Sequence, residues 1–267
     1  MLRLLRGLKK NLFDKGQLRK YLFYAVGEIL LVMIGILLAL QVNNWNEHRK
    51  KQALITSQLI NLASSLRSDS MMWSRAIDVN EFRSSSFQYL LEKSGLPFNR
   101  LPELPKADST FIWQGPYPDS LNNEFIRKSY SWFTRGFDNI LIDRTAMNEI
   151  NNLGLYSEIQ NDSLKGKIHD YYMFIDFQFS ETNIQTRINR EIEFHDYLSD
   201  NFGVRSTFFE WENRQIEDPL AFIRNDQGVI FRLKEVMQTA NWHCLQAVKA
   251  REMSHEIIAL IESEVKK

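Results

Sequence analysis

Apolar and polar positions divide this chain into segments with different periods. From Leu22 to Val42 (LFYAVGEILLVMIGILLALQV) it is apolar around nearly the whole helical circumference. These 21 residues reach about 30 Å as a helix, the thickness of a bilayer's hydrocarbon core. Their Leu, Ile, Val and Phe side chains contribute roughly −4 to −8 kcal/mol of insertion free energy, against about +3 for one central charge. Insertion therefore prevails over Glu28, which sits only about 9 Å by helical rise from the Leu22 end. A cleaved signal peptide fits less well. The run exceeds the usual ~7 to 15 residue core, and Ala39-Leu40-Gln41 lacks a small residue before the cut.

Beyond the span, Ile55, Leu59, Leu62, Leu66, Trp73, Ile77, Phe87 and Leu91 recur at spacings of three, four or their sums, with no proline before Pro97. This predicts one helix from the membrane to about Lys93, continuous with the span. Asp69 interrupts the apolar seam and Ser84, Ser85 and Ser86 weaken it, which favours packing against later helices of the same chain over a coiled coil. Gly95 ends the helix, and Pro97, Pro102, Pro105, Pro116 and Pro118 exclude a regular element after it. The interleaved Phe98, Phe111, Trp113 and Tyr117 read as packed against the bundle, with an exposed recognition loop as the alternative.

Helical spacing then returns. Asp119 or Ser120 caps a helix to about Thr134, broken by Gly136, and a helix from about Asp143 to Leu153 stops at Gly154. Asp162 or Ser163 caps one long helix through Leu164, Ile168, Tyr172, Ile175, Phe179, Ile188, Ile192 and Leu198. Residues 201–228 read as a connection, with Phe202, Phe208, Phe209 and Trp211 turned inward and Pro219 opening a short helical turn. The last long helix runs from Val229 to Val265, with Ile230, Leu233, Met237, Leu245, Val248, Ile257 and Ile261 on its broad inner face. The expected class is all-α: an N-terminal transmembrane helix continuing into the long helix of an extracytoplasmic bundle. The expected layout is a basic lead over 1–20, the span over 21–42 and a helical domain over 43–267, with a proline-rich loop over 94–118.

Charge sets the orientation. Arg3, Arg6, Lys9, Lys10, Lys15, Arg19 and Lys20 precede the span and only Arg49, Lys50 and Lys51 follow it closely, so the N-terminus is expected in the cytoplasm and the larger part outside. The lead, with Leu2, Leu5, Leu8, Leu12 and Phe13 near helical spacing, suits the inner leaflet surface. The whole chain has a formal charge of zero; 26 basic and 31 acidic residues follow the span, a net of about −5. That balance offers no footprint for nucleic acid. Trp45 stands where an interfacial aromatic anchor is favoured. Within the span, Gly35 and Ala39 each lie about 20° around the helix from Glu28. Small residues and a carboxyl on one stripe form a candidate helix-pairing seam, for self-association or a membrane partner; the alternative is the ordinary abundance of Gly and Ala in such helices.

Little else points to chemistry. Cys244 stands alone, so an intrachain disulfide is impossible, and its apolar surroundings suggest a small core residue. Glu252 and His255 share a helical face but lack the further ligands of a metal site. Glu191, Glu193, His195 and Asp196 cluster on one helix, where Glu191 and His195, four apart, read as a surface pair. No phosphate loop or nucleophile elbow is present, so no catalytic, cofactor-binding or metal residue is expected.

The GEILLVMIGILLALQVNNWNEHRK run, Gly27 to Lys50, resembles the opening of an uncharacterised family of single-pass proteins from Bacteroidetes, and RTAMNEINNLGLYSEIQNDSLKGKIHDYY, Arg144 to Tyr172, resembles that family's second landmark. The resemblance implies an anchored helical protein of a Gram-negative envelope, at the inner membrane with a periplasmic domain, and brings no activity with it. The expected role is a non-enzymatic interaction or scaffold protein. The alternative is a ligand- or stress-sensing domain signalling through a membrane partner, since twenty residues inside hold no relay domain.

Overall fold

The computed structural model describes residues 17–134, 140, 142–203, 218 and 220–266. The lead's apolar positions, Gly136, Phe208, Phe209, Trp211 and Pro219 lie outside them. All described regular elements are helical. The chain divides into two compact units, Met1–Ser57 and Gln58–Lys267.

Helix α1 runs from Gln17 to Ser94 without interruption and contributes to both units. In the first unit every side chain from Val26 to Lys51 is exposed, Leu31 at 74%. This segment is long and apolar enough to cross a membrane, and none of its most apolar window is buried. In water such an apolar stretch would be driven into a core; a largely apolar, fully exposed surface is stable only where the surrounding medium is itself apolar.

In the second unit α1 is joined by α2 (Asn123–Phe133), α3 (Thr145–Asn152), a 3₁₀ turn (Tyr156–Glu158), α4 (Asp162–Gln178), α5 (Glu181–Phe202), α6 (Ala221–Asn225) and α7 (Gln227–Val265). Helix α7 runs antiparallel to α1, tied by Arg67–Glu262 at 2.6 Å near one end and by the Cys244 thiol on the Ile77 carbonyl at 3.9 Å further along. Helices α4 and α5 follow the direction of α1, with Tyr171 beside Asp69 and Glu191 beside Arg83. Every residue of α1 from Ala76 to Ser84 is buried, more than two turns with no solvent face. Two of the serines that weaken the seam, Ser84 and Ser86, are inside it, and Ser85 is half-buried.

Several boundaries differ from those the sequence predicts. Asn122, not Asp119 or Ser120, caps α2, its side chain accepting from the Phe125 amide at 2.8 Å. The Tyr89 hydroxyl holds the preceding turn by donating to the Ser120 carbonyl and accepting from the Asn122 amide. Asn161 caps α4 through the Leu164 amide. The single long helix expected from residue 162 is two. Phe179 stacks on Trp73 at 4.7 Å between centroids, and Ser180 then caps α5 by accepting from the Asn183 amide. Gly154, at φ +66°, ends α3 in the left-handed region that favours glycine. On α7, Leu245 points outward at 49% exposure, while His243, Cys244, Ala247 and Ala250 face in. Small side chains there let α7 approach its neighbours closely.

The proline-rich stretch is pinned to α1 by a ladder of side chains. The Asp78 carboxylate accepts from the Phe111 and Ile112 amides at 2.9 and 3.2 Å, and Glu81 accepts from the Tyr117 hydroxyl at 2.5 Å. Gln88 accepts from the Leu101 amide, and Lys93 donates to the Asp119 carbonyl. Ile112 is buried, and the Trp113 ring meets Phe125 edge-on at 4.9 Å. The aromatics thus pack inward, although Phe111 keeps 44% of its surface exposed under the Arg75 guanidinium.

Candidate functional site

Two groups of residues concentrate the molecule's unusual chemistry. The first is on the exposed helix of the first unit. Glu28, Gly35 and Ala39 are all exposed, and a Cβ built on Gly35 meets nothing within 4 Å. No contact among the described residues requires glycine there. Trp45 is 66% exposed, with the Arg49 guanidinium 6.0 Å from its ring centroid.

The second group is a set of charges inside the second unit. Arg83 on α1 and Glu191 on α5 meet at 2.8 Å with side chains only 2% and 1% exposed. Arg83 also donates through Nε to the Trp132 carbonyl of α2 at 2.8 Å, and Arg187 Nε stands 3.9 Å from the same Glu191 oxygen. One side chain therefore ties three helices. Nearby on α7, burial drives His243 down to about 3, with the Arg187 and Arg83 guanidiniums acting in the same direction, so its ring is neutral. Lower in the bundle, Asp69 accepts from the Asp143 amide at 3.0 Å and from the Tyr171 hydroxyl at 3.0 Å, while Tyr171 accepts from Trp73 Nε1 at 3.2 Å. Burial raises the Asp69 carboxyl, and the hydrogen bonds from Asp143 and Tyr171 offset part of that rise.

The reading of Glu191 and His195 as a surface pair is corrected. Glu191 is buried on Arg83, and His195 instead bonds its neighbour Asp196 at 2.9 Å. Helix α5 turns Arg187, Glu191, Phe194 and Leu198 inward and leaves Ile192 45% exposed. The inner stripe has 4-3-4 spacing, and its first two members carry opposite charges. That spacing was the available signal; it was outweighed by the more apolar Ile188 and Ile192 one position along.

These internal groups pair one helix with another. The Arg83–Glu191 pair is almost wholly buried, and breaking it strands a charge in a poor solvent, which fixes helix register. His255 does bond Ser70 at 2.7 Å across α7 and α1. Ser70 lies mid-helix, where the backbone N–H groups are already used and none is left for an oxyanion. Glu252 and His255 are both exposed, and no group of three His, Cys, Asp or Glu positioned for a metal occurs among the described residues. Cys244 is fully buried, and burial pushes its thiol up to about 12.

Residues 28–93 match a family of unknown function (DUF6090). The matched stretch is α1 from Glu28 to Lys93, so it takes in both the apolar exposed segment and the buried polar positions Asp69, Asp78, Glu81 and Arg83. No curated protein and no solved structure matches the chain.

Proposed function

We propose that this is a single-pass, membrane-anchored interaction protein without enzymatic activity, its N-terminal lead in the cytoplasm and its helical unit outside, as in a periplasmic domain on a bacterial inner membrane. The observation that carries this reading is the uncovered apolar surface from Leu22 to Val42, which only lipid or another membrane helix satisfies. The basic lead supports the orientation through the excess of Lys and Arg on one side. Glu28, Gly35 and Ala39 are the proposed helix-pairing seam, and Trp45 the interfacial anchor. An open glycine beside a carboxyl lets a second helix approach closely and receive a hydrogen bond.

The test combines extraction and labelling. The full chain should stay with membranes through alkaline carbonate, and a Ser157→Cys variant in intact inner-membrane spheroplasts should react with an impermeant maleimide. Release by carbonate, or labelling only after lysis, sinks the reading. For the seam, Glu28→Leu with Gly35→Ile should lower the mass of the detergent-solubilised assembly; an unchanged mass removes it.

A further inference from the structure

The interaction reading leaves open which surface of the helical unit receives a partner, and one groove has the chemistry for it. Between α3 and α4 lies a cleft of about 300 Å³. Its floor is Ile168, fully buried, and Tyr172, 8% exposed, flanked by the flexible thioethers of Met147 and Met173. Met173 is 56% exposed in the free protein, an unbranched apolar side chain held at a surface where it can mould to another.

The walls are polar and unengaged. Asn148 and Asn151 stand three apart on the exposed face of α3, and His169 faces them from α4; none of the three side chains makes a hydrogen bond within the described residues. The charges at one end are already cancelled, because Arg144 pairs with Asp176 and also lies 5.3 Å over the Tyr172 ring. The Tyr172 hydroxyl itself is buried and finds no partner. The other end is closed by Tyr156, whose hydroxyl donates to the Lys165 carbonyl at 2.8 Å.

The geometry points to a groove for a short, uncharged, extended peptide segment of a partner protein, with one apolar side chain seated between Met147 and Met173 and its backbone amides read by Asn148 and Asn151. A primary carboxamide carries a donor and an acceptor together, the complement of a peptide unit, and the spent Arg144–Asp176 pair leaves no charge for a charged ligand to match. From Ile168 to Asp176 the groove runs about 12 Å by helical rise, room for three or four extended residues. A sugar is less well served. Its usual platform is an open aromatic face, and Tyr172 is covered by Arg144.

This deepens the interaction reading and rests on it, but its test runs on the purified full chain in detergent micelles and is independent of membrane extraction. An array of uncharged ten-residue peptides with a single central Leu, Met or Phe is the probe, with an oligosaccharide panel alongside. Selected peptides should lose at least about tenfold in affinity for an Asn148→Ala/Asn151→Ala variant, the loss of two or more hydrogen bonds. They should lose as much when the backbone amides flanking the apolar residue are N-methylated, a change that leaves every side chain in place. Met173→Glu should abolish binding, with the unfolding midpoints of both variants unchanged. The proposal is overturned if no peptide binds, if binding ignores the asparagine substitutions or N-methylation, or if an oligosaccharide binds in an Asn148-dependent way instead. Carbonate-resistant membrane association would survive any of those outcomes.

Discussion

The apolar segment of the first unit and helix α5 of the second invert each other. Over residues 22–42 Leu, Ile and Val stand outward, uncovered by any described residue, whereas α5 turns Arg187 and Glu191 inward and leaves Ile192 in solvent. Exposed apolar surface costs roughly 25 cal/mol per Å² in water, and a lone buried charge costs several kcal/mol, so each arrangement is stable only with a complementary environment. For α5 that environment is visible: Arg83 supplies the opposite charge at 2.8 Å. For the span no such environment occurs among the described residues, and this asymmetry is the physical argument for a bilayer.

The contrast is broken most severely at the span. Ile34→Lys with Leu37→Lys should cost about 6 to 8 kcal/mol of insertion free energy, comparable to the whole favourable sum. The protein should then leave the membrane fraction for the soluble or aggregated one; continued resistance to carbonate extraction would show that something other than this segment holds it.

Breaking the inverse arrangement comes next in size. Arg83→Ala or Glu191→Gln alone should destabilise the full chain by about 3 to 5 kcal/mol in denaturant unfolding, because one charge is left buried without its partner. Arg83→Met with Glu191→Leu together should recover only part of that, because buried Arg187 then loses its carboxylate. If each single change costs under about 1 kcal/mol, the pair does not organise the bundle.

A smaller effect lies in pH. His243 falls from 6.5 to about 3 on folding, so between those values the unfolded chain binds the proton and the folded one does not. Its contribution is therefore present above pH 6.5 and lost on acidification, about 2 kcal/mol between pH 7 and 5. Asp69 and Asp78, raised by burial above 3.8, act in the opposite sense: the folded state holds their protons more tightly, so they gain stability as pH falls. His243→Gln should remove the acid-side loss and leave the gain. A stability slope identical to that of the parent would contradict the buried, neutral ring.

The mildest test is at the loop. Asp78→Asn replaces a carboxylate that accepts from two backbone amides with a weaker acceptor and should cost about 1 to 2 kcal/mol. Cleavage between residues 95 and 118 under limited proteolysis should quicken before the helices open. Unchanged cleavage would mean that the aromatic contacts alone hold the segment.

Much of this was legible along the chain. The length of α1 followed from a 3–4 period that resumes after Asp69 with no proline before Pro97, its end from Gly95 and the prolines, and the limits of α7 from a stretch free of both residues after Gly228. The caps at Asn122 and Asn161 were missed because neighbouring Asp and Ser residues have similar capping preferences, and tertiary hydrogen bonds such as those of Tyr89 chose among them. Glu28, Gly35 and Ala39 could be placed on one stripe because their spacing is local to one helix. The α3–α4 groove was not, because Asn148, Asn151 and His169 are ordinary surface residues until two helices bring them together. The charged interior was concealed for a related reason: a hydrophobicity pattern records each residue's transfer preference alone, whereas burial of Glu191 depends on Arg83, more than a hundred residues earlier.

Sequence by itself determined the helical class, the long first helix, its apolar segment and the places where prolines forbid regular structure, because these depend on interactions between residues within a few turns of one another. Tertiary structure alone decided which side of α5 and α7 is the inside, where the expected helix from residue 162 breaks into α4 and α5 at Phe179, and which carboxylates become internal. Those outcomes hinge on pairings between distant segments, whose free energies no local pattern contains.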